Sequence, residues 1–348
     1  MQRFVHKRNR RARHGSDVAS SIGEVYCSDA YLRIITDMSE WTLDTPVAFF
    51  VFNRPEKTRR VAEQIAAARP PRVLVIADGP REGHPTDTDR CERTRAVIDD
   101  IDWQCTVKQN YADENLGLHE RFSTGLEWVF TNEHRAVILE DDCLPNESFF
   151  RFCDTMLETY RDDERIMDIT GSNHLGTWKD GQQDYHFSYY GSIWGWATWR
   201  RSWEWYDPEM RLWSETEVRQ QLRDVIANDR HADYLAYIYQ QTFENLETWD
   251  YQWGFARQIN SALSIVPSRN LISNIGFDET ATNTTDTDSE FADVQQYSLD
   301  PPYTRPDCVG VDRAHDERLH RMRPISHRNR FLREGRRLYN RGIDYLGW

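Results

Sequence analysis

One stretch decides the reading of this chain: Arg135-Ala-Val-Ile-Leu-Glu-Asp-Asp-Cys-Leu-Pro145. Val137, Ile138 and Leu139 make an apolar, partly β-branched run of the kind that forms a buried strand. Glu140, Asp141 and Asp142 follow at its carboxyl end, Pro145 stops it, and Asn146-Glu-Ser148 opens a helix through Phe149, Phe150, Phe152 and Met156. Three adjacent carboxylates repel one another and lose hydration together, a cost that a divalent cation removes. Hard carboxylate oxygens suit Mg²⁺ or Mn²⁺, and ligands of open α/β sheets sit at the carboxyl ends of the strands. A solvated acidic turn is the plainer alternative; the strand before the acids and the helix after them favour the cation.

Upstream the chain alternates. Val47-Ala-Phe-Phe-Val-Phe52 and Arg72-Val-Leu-Val-Ile-Ala77 read as strands, and residues 103–107 as a third. Residues 56–68, 88–100 and 119–130 read as the intervening helices, with turn signals at Asn53-Arg54-Pro55 and Asp78-Gly79-Pro80. This order predicts a parallel sheet with right-handed crossovers, all carboxyl ends on one edge. No G-x-G-x-x-G and no G-x-x-x-x-G-K-[ST] occurs, which disfavours a dinucleotide-binding loop and a P-loop.

Downstream, residues 148–160 read as a helix, Arg165-Ile-Met-Asp-Ile-Thr170 as a strand, 174–188 as a loop, 216–247 as helical and Ala262-Leu-Ser-Ile-Val266 as a strand. The aromatic segment around Trp194-Gly195-Trp196 offers flat rings that can stack on sugar faces, and core packing is the competing reading for each ring. In Thr248-Trp-Asp-Tyr-Gln-Trp253, Asp250 stands among aromatic rings. Partial desolvation there raises a carboxylate's basicity, as a general base needs, and Asp250 also fits a helix N-cap. Residues 274–290, rich in Asn, Thr, Asp and Gly, suit a loop that closes on a ligand.

The 348 residues carry a net charge of −14 with only four lysines, Lys7, Lys57, Lys108 and Lys179. That composition predicts a halophilic source and argues against nucleic acid as a partner. Six cysteines without C-x-x-C spacing read as reduced thiols. No run of 18 apolar residues occurs, and no apolar segment follows the basic N-terminus, so a cytoplasmic protein is expected. Residues 326–348 interleave six arginines with Phe331, Leu332, Leu338, Tyr339, Ile343, Leu346 and Trp348. Such a tail suits either peripheral contact with an anionic membrane or docking on the protein's own acidic surface.

The segment Val137-Ile-Leu-Glu-Asp-Asp-Cys-Leu-Pro-Asn-Glu-Ser-Phe-Phe150 resembles the metal-binding motif of GT-A-fold glycosyltransferases, of the N-acetylglucosaminyltransferase I type and its prokaryotic relatives. Phe50-Val-Phe-Asn-Arg-Pro55, Val75-Ile-Ala-Asp-Gly79, His119-Glu-Arg-Phe122, Gly191–Trp199 and Trp249-Asp-Tyr-Gln-Trp253 resemble further segments of that family in the same order, over residues 45–285. The family's Trp-Asp-Asp is Trp-Asp-Tyr here, leaving Asp250 as the one candidate base. The resemblance implies a metal-dependent, inverting transferase of a UDP- or GDP-sugar to a glycan or lipid-linked acceptor. It implies Asp142, with Glu140 through water, on Mn²⁺ or Mg²⁺; Asp141 on the donor; Arg54, Asp78 and His119 toward the nucleotide; Trp194, Trp196 and Trp249 toward substrate; and Asp250 as base. It divides the chain into a basic extension (1–43), a nucleotide-sugar and metal half (44–160), an acceptor and base half (161–290) and a C-terminal extension (291–348). A sugar nucleotidyltransferase and a non-catalytic carbohydrate-binding protein on the same fold are the alternatives.

Overall fold

The computed structural model describes residues 41–277 and 294–322. The basic stretch 1–40, most of the 274–290 loop and the 326–348 tail lie outside the described residues.

The first half follows the alternation expected. Strand β1 (Val47–Val51) is buried throughout, as a continuous apolar run requires. Helix α1 (Pro55–Ala68) begins with proline at its first position and buries Val61, Ile65 and Ala68 on one face. Strand β2 (Arg72–Ala77) leads to helix α2 (Asp87–Ala96), β3 (Thr106–Tyr111) to α3 (Gly117–Asn132), and β4 (Arg135–Glu140) to a short β5 (Cys143–Pro145). Helix α4 (Glu147–Thr159) starts where expected, with the Asn146 side chain accepting from the Phe149 amide as its N-cap.

The second half completes the same sheet. Strands β6 (Ile166–Thr170), β7 (Tyr185–Ser188), β8 (Trp196–Trp199) and β9 (Leu263–Pro267) join β1–β4 in the order β3-β2-β1-β4-β8-β6-β9-β7. The β3-β2-β1-β4 half is parallel; β8 runs antiparallel between β4 and β6, and β7 antiparallel to β9. The protein is therefore α/β, with a large, mostly parallel sheet flanked by helices, as expected. A ribbon of β10 (Ile272–Asn274) against β5 forms separately.

The expected helix over 216–247 is two: α6 (Thr216–Ile226) and α7 (Asp229–Asn245). Ala227 adopts a left-handed φ of 48°, and the Asn228 side chain caps α7 by accepting from the His231 amide. The aromatic stretch around Trp196 lies on β8, preceded by β7 where a loop was expected and followed by the short helix α5 (Arg200–Trp203). Helix α8 (Asp250–Ile259) then leads into β9, and α9 (Arg313–Met322) ends the described chain. One core, between α3 and the sheet, contains Phe50, Ile76, Phe122, Leu126, Trp196, Trp249 and Trp253; a second joins α6, α7 and α8 to Leu319 of α9. The five described cysteines, Cys91, Cys105, Cys143, Cys153 and Cys308, are free thiols.

Candidate active site

The parallel register places the carboxyl ends of β1, β2 and β4 side by side, with Phe50 opposite Glu140 and Val51 opposite Ala77. Polar residues that leave those strands therefore meet at one edge. Arg54 reaches from the β1–α1 turn to the acids after β4: its Nη1 lies 3.2 Å from Asp141 Oδ1 and 2.8 Å from Asp142 Oδ2. The Phe52 amide donates to Asp141 Oδ2 at 3.3 Å. Asp141 is 6% exposed, and burial pushes its carboxyl up to about 6 against the pull of Arg54. The contacts its oxygens make among the described residues are with the protein's own donors, Arg54 and the Phe52 amide.

Glu140 closes β4. Burial raises its carboxyl well above the usual range, and the Asp142, Asp141 and Asp250 carboxylates add to the effect. Its Oε1 is buried with no hydrogen-bond donor among the described residues. Asp142 lies under the chain that leaves β10: its carbonyl accepts from the Ile275 amide at 2.8 Å. A Cβ on Gly276 would stand 2.4 Å from Asp142 Oδ2, so only glycine leaves that carboxylate its space. Among the described residues no three His, Cys, Asp or Glu side chains converge as a ready metal shell. The donor chemistry nevertheless fits a hard divalent cation. Hard oxygens adjoin, one of them a buried orphan, and a cation held by one or two carboxylates takes its remaining ligands from water and substrate phosphates.

Asp250 stands at the first position of α8, half-buried, and burial raises its carboxyl above the usual range while the Thr248 hydroxyl donates to it. Its effect on Glu140 places it within electrostatic reach of the acidic cluster. Tyr206, whose hydroxyl burial also raises, feels the same carboxylate and lies 3.1 Å from the Ser123 hydroxyl of α3. The helix that starts at Asp250 is fastened to β6. Trp253 and Arg257, three and seven residues along α8, both reach Asp168 on β6: Trp253 Nε1 at 2.7 Å and Arg257 Nη1 at 2.5 Å from Oδ2.

Asp78 leaves the carboxyl end of β2, but its oxygens are engaged. They accept from the amides of Gly79 and Leu116 at 2.9 Å each, from Gly117 at 3.2 Å and from Asn115 Nδ2 at 2.9 Å. Those four donors fill a carboxylate's acceptor capacity. Asp78 thus builds the corner that starts α3, where a Cβ on Gly79 would strike the Glu114 backbone at 2.4 Å. His119, in the first turn of α3, points its Nδ1 at the Thr248 carbonyl, 2.7 Å away. Neither residue is turned over to a nucleotide by these contacts.

Two of the three tryptophans expected to face substrate do not. Trp196 and Trp249 are each 1% exposed. Trp249 stacks on Phe122 at 4.7 Å, Phe122 on Phe50 at 4.2 Å, and Trp196 on Trp249 at 5.7 Å. Their faces are consumed in the core, where stacked rings dominate the packing. Trp194 remains partly exposed, edge-on to Phe277 at 5.6 Å, and Phe277 directly follows Ile275 and Gly276, which lie against Asp142. Thr248, Asp168, Arg257 and Gly276 entered none of the expected site. A lone Thr, a mid-strand Asp and a Gly in a polar loop carry no local signal of what they touch.

No family model and no curated protein matches the chain. Among solved structures it is similar to a UDP-glucose pyrophosphorylase complexed with UDP-glucose, at 9% identity over 42% of this chain and 62% of that one, with a TM-score of 0.24. It is also similar to an apo UDP-glucose pyrophosphorylase, at 8% identity over 66% and 93% of the two chains, with a TM-score of 0.31. This chain thus spans less than two thirds of the length of the first. Overlaps this slight carry no functional weight.

Proposed function

We propose that this chain is an enzyme acting on a nucleotide-diphosphate sugar, and that it passes the sugar to a hydroxyl acceptor with inversion. The observation that carries the reading is a half-buried aspartate of raised pKa within electrostatic reach of a buried acidic cluster that holds an arginine, at the carboxyl edge of a parallel sheet. An anionic diphosphate needs positive charge there, and Arg54 supplies it from the turn after β1. Asp142, with Glu140 through a water, would hold Mn²⁺ or Mg²⁺. A bound cation of this kind neutralises charge on a leaving diphosphate. Asp250 takes the proton of the acceptor hydroxyl. The acceptor oxygen forms its bond to the anomeric carbon as the bond to the diphosphate oxygen breaks, and that electron pair leaves with the diphosphate. Partial burial suits Asp250 to this task, because a desolvated carboxylate is the stronger base. Trp194, which keeps part of its surface exposed, is the ring this reading assigns to the sugar. An acceptor on a lipid carrier suits the 326–348 tail; removing it should abolish sedimentation with anionic liposomes, and unchanged sedimentation ends that part of the reading.

The second reading is nucleotidyl transfer, the activity in the names of the two pyrophosphorylases. It uses a nucleoside triphosphate, and the turn Phe52-Asn53-Arg54-Pro55 has no glycine to let backbone approach a triphosphate closely. Incubation with UDP- and GDP-sugars and Mn²⁺ separates the two. Release of nucleoside diphosphate, stopped by EDTA, supports glycosyl transfer; formation of nucleoside triphosphate only when pyrophosphate is added supports the second reading. Neither product from any donor refutes both.

A further inference from the structure

The base segment is tied to the nucleotide side of the site by one hydrogen-bonded line. His119 Nδ1 lies 2.7 Å from the Thr248 carbonyl oxygen. A carbonyl only accepts, so this contact requires the proton on Nδ1, and the Gln252 amide nitrogen 3.3 Å from the same ring atom then shares its acceptor and does not donate to it. The side-chain amide of Gln252, a residue 0% exposed, donates to the same oxygen, so both lone pairs of that carbonyl are taken. The Thr248 hydroxyl in turn donates to Asp250 Oδ1. At the other end of the line, Asp78 accepts the amides of Leu116 and Gly117 and so fixes the turn from which His119 projects.

We propose that His119 is a positioning residue: through Nδ1–H it holds the Thr248 carbonyl, and thereby sets the carboxylate of Asp250 against the acidic edge, without touching the nucleotide. The inference rests on reading Asp250 as the base. Two donors from different elements, one on α3 and one on α8, converge on a single backbone oxygen two residues before the reacting group. Such a clamp resists both rotation of the peptide and drift of the helix start. Misplacing a reacting group by about 1 Å costs about 10²-fold in rate. Glu140 on β4 and Tyr206 after α5, which also feel the Asp250 carboxylate, lie outside the line.

Three substitutions test the clamp. An asparagine amide can stand where Nδ1 stands, whereas a glutamine amide reaches to the position of Nε2. Nucleoside diphosphate release is followed from UDP-glucose, UDP-galactose, UDP-N-acetylglucosamine and GDP-mannose with Mn²⁺. His119→Ala and His119→Gln should lower kcat about 10²-fold with donor KM within about threefold of wild type, and His119→Asn should recover most of the loss. A raised donor KM at unchanged kcat, or an asparagine variant no better than alanine, overturns the proposal. Nitrogen-15 spectra of labelled histidine, with no donor present, should find His119 protonated at Nδ1; a proton on Nε2 alone overturns it as well. Should no donor be turned over by wild type, the enzymatic reading fails, and the tautomer still decides whether the clamp exists.

Discussion

Asp168→Ala should cost this protein a large part of its stability, and the size follows from what the carboxylate holds. Asp168 and Arg257 are 5% and 4% exposed and 2.5 Å apart. The same oxygen accepts from Trp253 Nε1 at 2.7 Å, and the other accepts the Ser264 hydroxyl. Truncation leaves a buried guanidinium without its counter-charge, a loss of about 3–5 kcal/mol. Each orphaned neutral donor can cost a further ~1 kcal/mol or more, though such terms do not simply add. Against a total stability of about 5–15 kcal/mol, this is the difference between a folded and a marginal protein. Urea unfolding followed by tryptophan fluorescence measures it. Asp168→Leu combined with Arg257→Met should recover most of the loss, because the uncompensated charge goes with the arginine. A cost below about 1 kcal/mol for Asp168→Ala, at unchanged m-value, would refute the claim that this buried pair fastens α8 to β6.

Asp250→Asn should bind donor as wild type does but transfer it about 10²–10⁴-fold more slowly, a barrier increase of roughly 3–5 kcal/mol, read as kcat at constant donor KM. Gly276→Ala should weaken Mn²⁺ binding by about tenfold, roughly 1.4 kcal/mol, while leaving the melting temperature within a few degrees, since its Cβ would crowd Asp142 Oδ2 at 2.4 Å; calorimetry with and without nucleotide reads it. The pH dependence has a definite sign. Burial lifts the folded-state pKa of Asp141 to about 6, above its unfolded value, so the native state binds that proton more tightly. Lowering the pH from 7.5 toward 4 should therefore relieve a cost of up to about 3 kcal/mol, and Asp141→Asn should remove that share of the gain. Asp87, held down to about 2 chiefly by Arg81, works oppositely: its contribution is present at neutral pH and lost as pH falls from about 4 through 2. Urea midpoints at pH 7.5 and 5 check the first and at pH 4.5 and 2.5 the second, and equal behaviour of wild type and Asp141→Asn between pH 7.5 and 5 would count against the first.

Local patterns carried the first half of the fold. The run Val137-Ile-Leu139 announces its strand because every residue is apolar and three charges end it, and Asn146 announces α4 because its side chain is the cap. Period and punctuation act within a few residues, so they survive without tertiary knowledge. The second half resisted for the opposite reason. Strand β8 is four residues of which two are tryptophan, and it pairs antiparallel with β4 some sixty positions earlier; no local period encodes that return. The break between α6 and α7 depends on Ala227 adopting a left-handed conformation that alanine rarely takes. For the site, residue types indicated a chemistry but not an orientation. Trp194, Trp196 and Trp249 look alike in sequence, yet two lie in the core. Asp78 and His119 stand at the edge where ligand contacts were expected, and both are bonded within the protein, mainly to backbone. In sequence Asp168 is one polar residue in a strand, and only its distance from Arg257 shows what it does.

The most direct test of the site is a calorimetric titration of UDP and GDP into wild type and Asp142→Asn, with and without Mn²⁺. A cation shared between Asp142 and a diphosphate predicts binding by wild type that needs Mn²⁺ and falls at least about tenfold in the variant, roughly 1.4 kcal/mol. Binding that ignores both the metal and the substitution, or no binding of either nucleotide, would contradict it.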